Sequence, residues 1–331
     1  MKILLGYSWF VSGGERNIKD HWEEWLARLR GYGFDVTGYC LTINPPGPCL
    51  IWPELDTLWK IKEKTLLSKY EDLLKKLEGF DVFINYNGIN IHPDFIKNMK
   101  TFNVYCCWDD PESSEILSKP VVSAYDLCMV GNIACVNDYI SWGAKQARFW
   151  PIGVRDNEFN PNMTKEDILN KNRTIDFLIL CERLTQIRIP RLDNFMKAFP
   201  QTRSYGFGWP NGYINEGYKV PLYQNTKIGP NFHLSKGPVN FRTYLLPANG
   251  ILQICDNKLN LSKIFKLDKE VIGFDTITEC IDKCRYYLDH DEERRNIAAS
   301  GWERTMKDYN EKVLFQKIIN DINEIKTKGE K

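Results

Sequence analysis

The sequence predicts an α/β fold in which two domains are each built on a parallel sheet. A chain of 331 residues is long enough for two domains of ordinary size. Short apolar runs alternate with amphipathic helical stretches, an alternation typical of repeated β–α units. It stops once, from Pro151 to Asn172, where Pro, Asn, Asp and Gly crowd together. We interpret that stretch as the linker between two domains that leave a ligand-binding cleft between them.

The composition argues against several classes of protein. The chain carries 44 Lys plus Arg against 43 Asp plus Glu, a net charge of +1, unlike a strongly basic nucleic-acid wrapper. No apolar run approaches the ~20 residues of a membrane helix, and the first residues lack the small-residue cleavage site of a signal peptide. The ten cysteines form no Cys-x-x-Cys pair. We therefore expect reduced thiols, no metal site and a cytoplasmic protein.

The first domain begins with a complete β–α–β unit. A strand from Lys2 to Tyr7 precedes a Gly-Gly turn and a helix whose apolar residues, Trp22 to Leu29, recur at helical spacing; a second strand begins at Phe34. Further strands are predicted at Asp81–Tyr86, Phe102–Cys107, Leu127–Val130 and Ala147–Trp150. Helices are predicted at Leu66–Leu77 and Asn137–Trp142, and a proline-rich loop at Asn44–Pro53.

The second domain repeats the alternation after the linker. Strands are predicted at Thr174–Cys181, Thr202–Tyr205, Lys227–Phe232, Gly250–Cys255 and Val271–Phe274. Helices are predicted at Pro190–Phe199 and Asn240–Ala248, and a loop rich in Gly, Tyr and Pro extends to Gln224. The tail Ile277–Lys328 is predicted to be helical, with breaks near Asp289, Gly301 and Asp308.

Two loops of the first domain are candidates for chemistry. The turn containing Gly13 and Gly14 lets backbone N–H groups approach a phosphate or sugar, although an ordinary β–α loop explains it equally well. Asp110, which precedes Pro111, is the expected N-cap of a following helix. Asp109 then remains, at the carboxyl end of a strand, either as a general base for an acceptor hydroxyl or as a turn residue.

The richest candidate region extends from Arg203 to Asp256. Asn240 is predicted to cap a short helix, so that free N–H groups and the positive end of the helix dipole form an anion site. Arg242 in the first turn and Lys236 in the preceding loop add cations suited to a diphosphate. The alternative for Arg242 is an ion pair with a surface acid.

Six further residues complete the predicted nucleotide-binding site. They are Arg183, Gly206, Gly208, Trp209, Asn231 and His233. The two glycines and the tryptophan offer a small-plus-aromatic surface for a base or sugar, and the arginine offers charge for a phosphate. The histidine and the tryptophan each have an alternative interpretation, as a satisfied buried histidine and as a core aromatic.

Several segments resemble the CgeB-like (spore-maturation type) glycosyltransferases, which are related to glycosyltransferase group 1. They are WPIGVRDNEFNP, SYGFGW, KIGPNFH, NFRTYLLPANGILQICD and the stretch from KEVIGF to MKDYN. The resemblance spans most of the chain and implies the GT-B architecture, with two Rossmann-like domains facing across a cleft. It implies an acceptor-binding domain at 1–152, a donor-binding domain at 153–308 and a C-terminal helix at 309–331 that crosses back to the first domain.

The sequence departs from this family at one position. The family usually reads R-x-x-E, with a Glu that contacts the donor nucleotide, whereas Leu245 stands three residues after Arg242. Asp256 is a candidate to replace the missing carboxylate.

The resemblance implies transfer of a sugar from a nucleoside-diphosphate sugar to a hydroxyl acceptor, with no cofactor and no required metal. The acceptor is a glycan, a protein or a small molecule, and Asp109 is the base if the reaction inverts configuration. Two alternatives stay open. One is a non-catalytic sugar- or nucleotide-binding homologue, and the other is a glycosyltransferase acting on modified nucleic acid, against which the balanced charge argues. Peripheral membrane contact also stays open.

Overall fold

The computed structural model describes residues 1–9, 18–45, 47, 50–86, 90–184, 186 and 189–329. The chain divides into two compact units, one formed by Met1–Pro151 with Phe315–Lys331 and the other by Ile152–Leu314. Among the described residues, no helix combines the length and apolar character needed to cross a membrane. The roles predicted for the two domains, acceptor binding and donor binding, stay predictions.

The first unit contains a parallel sheet of six strands in the order β2-β1-β3-β4-β5-β6. The strands are β1 (Ile3–Tyr7), β2 (Val36–Cys40), β3 (Val82–Tyr86), β4 (Phe102–Cys107), β5 (Leu127–Val130) and β6 (Ala147–Phe149). The helices of its first 151 residues are α1 (Ile18–Gly31), α2 (Trp52–Lys60), α3 (Lys64–Leu77), α4 (Pro93–Ile96) and α5 (Val136–Ser141). Every residue of β1 and β3 is buried, as expected for inner strands of a parallel sheet.

The second unit contains a parallel sheet of five strands in the order β11-β10-β9-β7-β8. The strands are β7 (Ile175–Arg183), β8 (Arg203–Phe207), β9 (Thr226–Asn231), β10 (Leu252–Cys255) and β11 (Ile272–Gly273). The helices are α6 (Lys165–Asn170), α7 (Ile189–Ala198), α8 (Glu216–Gln224), α9 (Arg242–Ala248), α10 (Lys258–Leu261), α11 (Ile277–Asp289) and α12 (Asp291–Asp308). The predicted two-sheet α/β fold is therefore confirmed.

The last helix, α13 (Glu311–Gly329), belongs to the first unit from Phe315 onward. The Phe315 ring packs against Phe34 and Trp25, at centroid distances of 4.9 and 6.3 Å. One nitrogen of Arg148, on β6, bonds to the carboxylate of Asp321 on this helix at 2.6 Å. Apolar packing and an ion pair thus join the end of the chain to the first unit.

The structure contains two helices where the sequence predicted loops. Helix α2 begins inside the proline-rich stretch because Pro53 lies in its first turn, where a missing backbone N–H costs nothing. Helix α8 occupies the end of the Gly/Tyr/Pro-rich segment and tolerates Pro221 in its interior. Turn chemistry alone therefore overestimated the length of both loops.

Two predicted helix boundaries are wrong. Residues 110–120 form turns instead of a helix, so Asp110 does not cap a helix. Gly301 does not break the tail but lies inside α12, where a Cβ atom would stand 2.3 Å from the carbonyl oxygen of Glu270. The glycine at this position allows that close approach of backbone to helix.

Candidate active site

The second sheet reverses its strand order between β7 and β9, and a pocket lies at the carboxyl ends of these two strands. Such switch points are where open parallel sheets bind ligands. About 340 Å³ of space free of atoms, partly open to solvent, lies at this place. It is lined by Ile179, Cys181, Leu192, Trp209, Pro230, Phe232, His233, Leu234 and Arg242. Three of the predicted site residues, Trp209, His233 and Arg242, therefore meet at one pocket.

Arg242 places an uncompensated positive charge at this pocket. Its Nε donates to Asn231 Oδ1 at 3.1 Å, while Nη1 and Nη2 donate to the carbonyl oxygens of Leu180 and Phe232 at 3.1 and 3.3 Å. A guanidinium has five N–H donors, so two remain for a ligand. Within the described part of the chain no carboxylate forms an ion pair with Arg242, so the predicted alternative of a surface acid fails.

A buried amide network orients this arginine. The Nδ2 of Asn240 and the Nε of Arg242 both donate to Asn231 Oδ1. The Nδ2 of Asn231 donates in turn to Gln253 Oε1 at 3.0 Å and to the Thr243 hydroxyl at 3.3 Å. The side-chain amides of Asn240, Asn231 and Gln253 all have hydrogen-bond partners in this network. The network therefore holds the Arg242 guanidinium in one orientation.

The predicted anion site at the start of α9 needs correction. Asn240 does cap the first turn, since its Oδ1 accepts from the N–H of Thr243 at 3.1 Å. That N–H is consequently not free for a ligand, and α9 has only seven residues with Pro247 among them. At least one N–H group of this helix end is thus already bonded, and the Arg242 side chain adds a full positive charge at the same place.

His233 and Asp256 lie together at the same strand ends, within hydrogen-bonding distance. His233 Nδ1 is 2.6 Å from Asp256 Oδ1, and His233 Nε2 is 3.1 Å from the Thr243 hydroxyl. The Thr243 hydroxyl also accepts from Asn231 and is within donating distance of Asn240 Oδ1 at 3.4 Å, while the Asp256 carboxylate accepts the hydrogen bond of His233 Nδ1. His233 is 3 % exposed, which fits the alternative interpretation of a satisfied buried histidine.

The same corner offers three metal-ligating groups, from His233, Cys255 and Asp256, within 4.8 Å of one another. The short imidazole–carboxylate hydrogen bond already accounts for two of them. Burial raises the pKa of the Cys255 thiol well above its usual value, which opposes the thiolate that a metal requires. Asp256 Oδ2 also accepts from the backbone N–H of His233 at 2.9 Å, so both oxygens of this carboxylate contact the histidine.

Trp209 lies in the turn that follows β8, and the close packing of Gly206 constrains its position. Gly206 has φ +139°, and a Cβ atom there would lie 1.8 Å from the carbonyl oxygen of Cys181 and 2.8 Å from the Trp209 ring. The indole is 6 % exposed, and its Nε1 has no hydrogen-bond partner. Gly206 therefore acts as a spacer beneath the tryptophan. Gly208 is exposed, and a Cβ atom added there would be 3.7 Å from Leu184 Cβ, an ordinary contact.

Two further predicted donor-site residues, Arg183 and Lys236, do not line the pocket. Arg183, the last residue of β7, is exposed. Lys236 is also exposed, and its carbonyl accepts from Asn260 at 2.9 Å. Gly13 and Gly14 lie outside the described residues. Leu245, which stands where the family has a Glu, packs against a buried apolar cluster that includes Tyr223.

The first unit places Asp109 and Asp110 at the carboxyl end of β4 in opposite environments. Asp109 is exposed, as a base that meets an acceptor must be. Asp110 is 1 % exposed, and its Oδ2 accepts from Ser118 at 2.6 Å and from Tyr139 at 2.5 Å. Burial raises the pKa of Asp110. It is thus part of a core network in place of the predicted helix cap.

Sequence reasoning missed the residues that connect and enclose the site. Thr243 and Gln253 join the amide network, and Ile179, Leu192 and Phe232 form the apolar wall. The position of Phe232, directly after β9, was the available signal, because a switch point becomes recognisable once strand order is known. Leu192 on α7 carries no such signal.

A family model matches the segment that contains the pocket-lining residues. Residues 177–320 match the family model described as Glycosyl transferase-like. No curated protein sequence matches the chain significantly.

Solved structures resemble nearly the whole chain at low identity. Sucrose-phosphate synthase from Thermosynechococcus elongatus is 12 % identical with a TM-score of 0.67, covering 98 % of this chain and 99 % of its own. Anabaena HepE in complex with UDP-glucose is 11 % identical with a TM-score of 0.64, covering 98 % and 100 %. A glycosyltransferase from Rickettsia africae is 13 % identical with a TM-score of 0.63, covering 98 % of each chain. The likeness shows the fold: two parallel-sheet α/β units of the GT-B type with a helical C-terminus.

Proposed function

We propose that the protein is a glycosyltransferase that moves a sugar from a nucleoside-diphosphate sugar to a hydroxyl acceptor. The observation that carries this proposal is the Arg242 guanidinium, which has no carboxylate partner among the described residues and keeps two N–H donors at the switch-point pocket. A planar cation held in one orientation suits the oxygens of a diphosphate. The Glycosyl transferase-like match over the same segment supports the same reaction class.

The proposed chemistry places charge stabilisation on the second unit. The bond between the sugar C1 and the β-phosphate oxygen breaks, and the diphosphate leaves with the bonding electron pair. Arg242 neutralises this developing negative charge, a role that a metal ion fills in other enzymes. We therefore propose a metal-independent reaction in which the buried amide network keeps the arginine preorganised.

In this proposal, a residue of the first unit activates the acceptor hydroxyl. A new bond forms between the acceptor oxygen and C1, and in an inverting reaction Asp109 takes the hydroxyl proton. Its exposure at the carboxyl end of β4 supports that role, whereas Asp110 is committed to buried hydroxyls. The CgeB-like subtype, the cytoplasmic location and the acceptor classes named above remain part of the proposal.

UDP-sugars are the first donors to test, because two of the similar solved structures are Anabaena HepE bound to UDP and to UDP-glucose. The experiment measures binding and turnover of UDP-, GDP-, dTDP- and CMP-sugars by the full chain with EDTA present. Arg242→Met is expected to lower turnover by about 10²–10³-fold, the usual cost of one oxyanion donor. Arg285→Met, which removes an exposed arginine of α11, is the matched control.

The outcomes separate the proposal from its alternatives. Binding without turnover of any donor, abolished by Arg242→Met, would indicate a non-catalytic nucleotide-binding homologue. Absence of binding, or equal behaviour of the Arg242 variant and the wild type, contradicts the proposal. A nucleic-acid acceptor predicts affinity that falls linearly with the logarithm of salt concentration.

A further inference from the structure

Asp256 holds the backbone on both sides of Phe232, the residue directly after β9. Its backbone N–H donates to the carbonyl oxygen of Asn231 at 3.2 Å. Its side-chain Oδ2 accepts from the backbone N–H of His233 at 2.9 Å. Asn231 pairs with Cys255 at the ends of β9 and β10, so Asp256 continues the contact between these two strands beyond their last residues.

The segment that Asp256 holds is the segment that positions Arg242. The Nε of Arg242 donates to the side chain of Asn231, and its Nη2 donates to the carbonyl oxygen of Phe232 at 3.3 Å. Among the described residues the guanidinium has one further acceptor, the carbonyl oxygen of Leu180. A shift of the backbone at Phe232 would therefore loosen the guanidinium or turn it away from its present direction.

The carboxylate of Asp256 is itself fixed by several donors. Its Oδ1 accepts from His233 Nδ1 at 2.6 Å and from Asn257 Nδ2 at 3.1 Å. The other ring nitrogen of His233 lies 3.1 Å from the hydroxyl of Thr243, the residue after Arg242 on α9. Hydrogen bonds to an ionised group are stronger than those between neutral groups, so this contact of β10 with the residues after β9 is a firm one.

We propose that Asp256 is a positioning residue for Arg242. It fixes residues 231–233, and through them the guanidinium that binds the diphosphate, without contacting the ligand itself. This inference rests on the proposed function and deepens it, because it assigns the carboxylate at position 256 a role other than the nucleotide contact expected from the sequence. Without this carboxylate, Arg242 keeps its charge but samples more orientations, and binding must then restrict them at a cost in affinity.

Inorganic diphosphate and UDP are the probes, and calorimetric titration of the full chain measures both Kd values. Asp256→Asn keeps the shape of the side chain but replaces one acceptor oxygen by an NH₂ group, which cannot accept from the donors of His233. Both Kd values should rise about 3–10-fold, as expected for the loss of one hydrogen bond. Asp256→Ser offers one short hydroxyl to the same donors and should weaken both probes in the same way.

Arg242→Lys distinguishes positioning from a direct contact between Asp256 and the ligand. The lysine keeps a positive charge but lacks the planar fork that donates to Asn231 and Phe232. If Asp256 acts through the guanidinium, adding Asp256→Asn to Arg242→Lys should leave the Kd for diphosphate nearly unchanged. An undiminished effect of Asp256→Asn in this background would overturn the inference.

The motion of the guanidinium provides a readout that needs no ligand. In protein labelled with ¹⁵N at arginine, the Nε–H signal that is absent from Arg242→Met belongs to Arg242. Its heteronuclear NOE should be that of a rigid group in the wild type and should fall in Asp256→Asn, because a loosened side chain moves on the picosecond-to-nanosecond timescale. A general loss of stability in a protein that remains folded would not change this value.

Asp321→Asn is the matched control, because Asp321 is also a largely buried carboxylate with cationic partners, Arg148 and Lys317, and it lies in the first unit. It should lower the free energy of unfolding, measured in urea, and leave both Kd values and the NOE of Arg242 unchanged.

The outcomes separate this inference from the proposed function. If a folded Asp256 variant binds diphosphate like the wild type while Arg242→Met does not, or if the NOE of Arg242 is the same in Asp256→Asn, the inference is overturned and the proposed function stands. Loss of folding in both Asp256 variants would show a general structural role and would overturn it as well. If the wild type binds neither probe, both are overturned.

Discussion

The Nε of Arg242 donates to the Oδ1 of Asn231 at 3.1 Å, and Asn231 is completely buried at the carboxyl end of β9. An amide in this position orients the guanidinium without cancelling its charge. A carboxylate would form the same hydrogen bond and neutralise it. Asn at position 231, in contrast to Asp, therefore leaves the positive charge of Arg242 at the pocket.

Asn231→Asp tests that relationship. The new carboxylate should pair with Arg242 and raise the Kd for UDP and for diphosphate by at least about tenfold, since the charge pair must be broken to bind an anion. Calorimetric titration measures both constants. Asn320→Asp, at an exposed position of α13, is the control for the added charge. An unchanged affinity in a folded Asn231→Asp protein would contradict the role assigned to Arg242.

Cys181 provides a chemical probe of the same pocket. Among the described cysteines only Cys40 and Cys181 are not buried, and Cys181 lines the pocket. A ligand at ten times its Kd should slow alkylation of Cys181 by iodoacetamide about tenfold and leave Cys40 unaffected. Mass spectrometry of the labelled peptides measures both rates. Equal rates with and without UDP would show that the nucleotide does not occupy this pocket.

Asp110 gives a pH dependence of defined sign. Burial raises the pKa of Asp110 in the folded state above its unfolded value, so ionising it costs stability as the pH rises through the unfolded value toward the folded one. Asp110→Asn removes that cost. Urea unfolding should therefore show the variant gaining stability relative to the wild type as the pH rises above about 4, the ordinary pKa of an aspartate. Glu115→Gln, at an exposed position, controls for the loss of one carboxylate. A difference that stays flat with pH would contradict the buried position of Asp110.

Gly206→Ala tests the spacer beneath Trp209. The new methyl group would overlap the Cys181 carbonyl oxygen, and φ +139° is unfavourable for alanine, so we expect a loss of about 3 kcal/mol or more in the free energy of unfolding. Gly217→Ala is the matched control, because that glycine lies in α8 with no neighbour within 4 Å. The control should gain about 0.5–1 kcal/mol from helix propensity. Equal stability of the two variants would show that the turn can shift.

Strand patterns predicted most of the fold because buried parallel strands are short apolar runs. The bounds of β4 and β5 agree with the predicted ones, and the other predicted strands overlap observed ones. Helices α2 and α8 were missed because prolines and glycines resemble loop signals until the helix has a surface to pack against. The predicted cap at Asp110 failed for a similar reason, since Ser118 and Tyr139 reach the carboxylate only in the folded unit.

The sequence by itself determined the alternation of strands and helices, and with it two parallel sheets whose carboxyl ends carry the polar residues. It also placed Trp209, Asn231, His233, Asn240 and Arg242 in one segment, within 34 positions of one another. Only the tertiary structure decided what each of them does. Strand order set the pocket at the ends of β7 and β9, and hydrogen bonding divided the polar groups into satisfied and unsatisfied ones. That division depends on which atoms meet across β7, β8, β9 and β10, and sequence spacing within one element carries no information about contacts between elements.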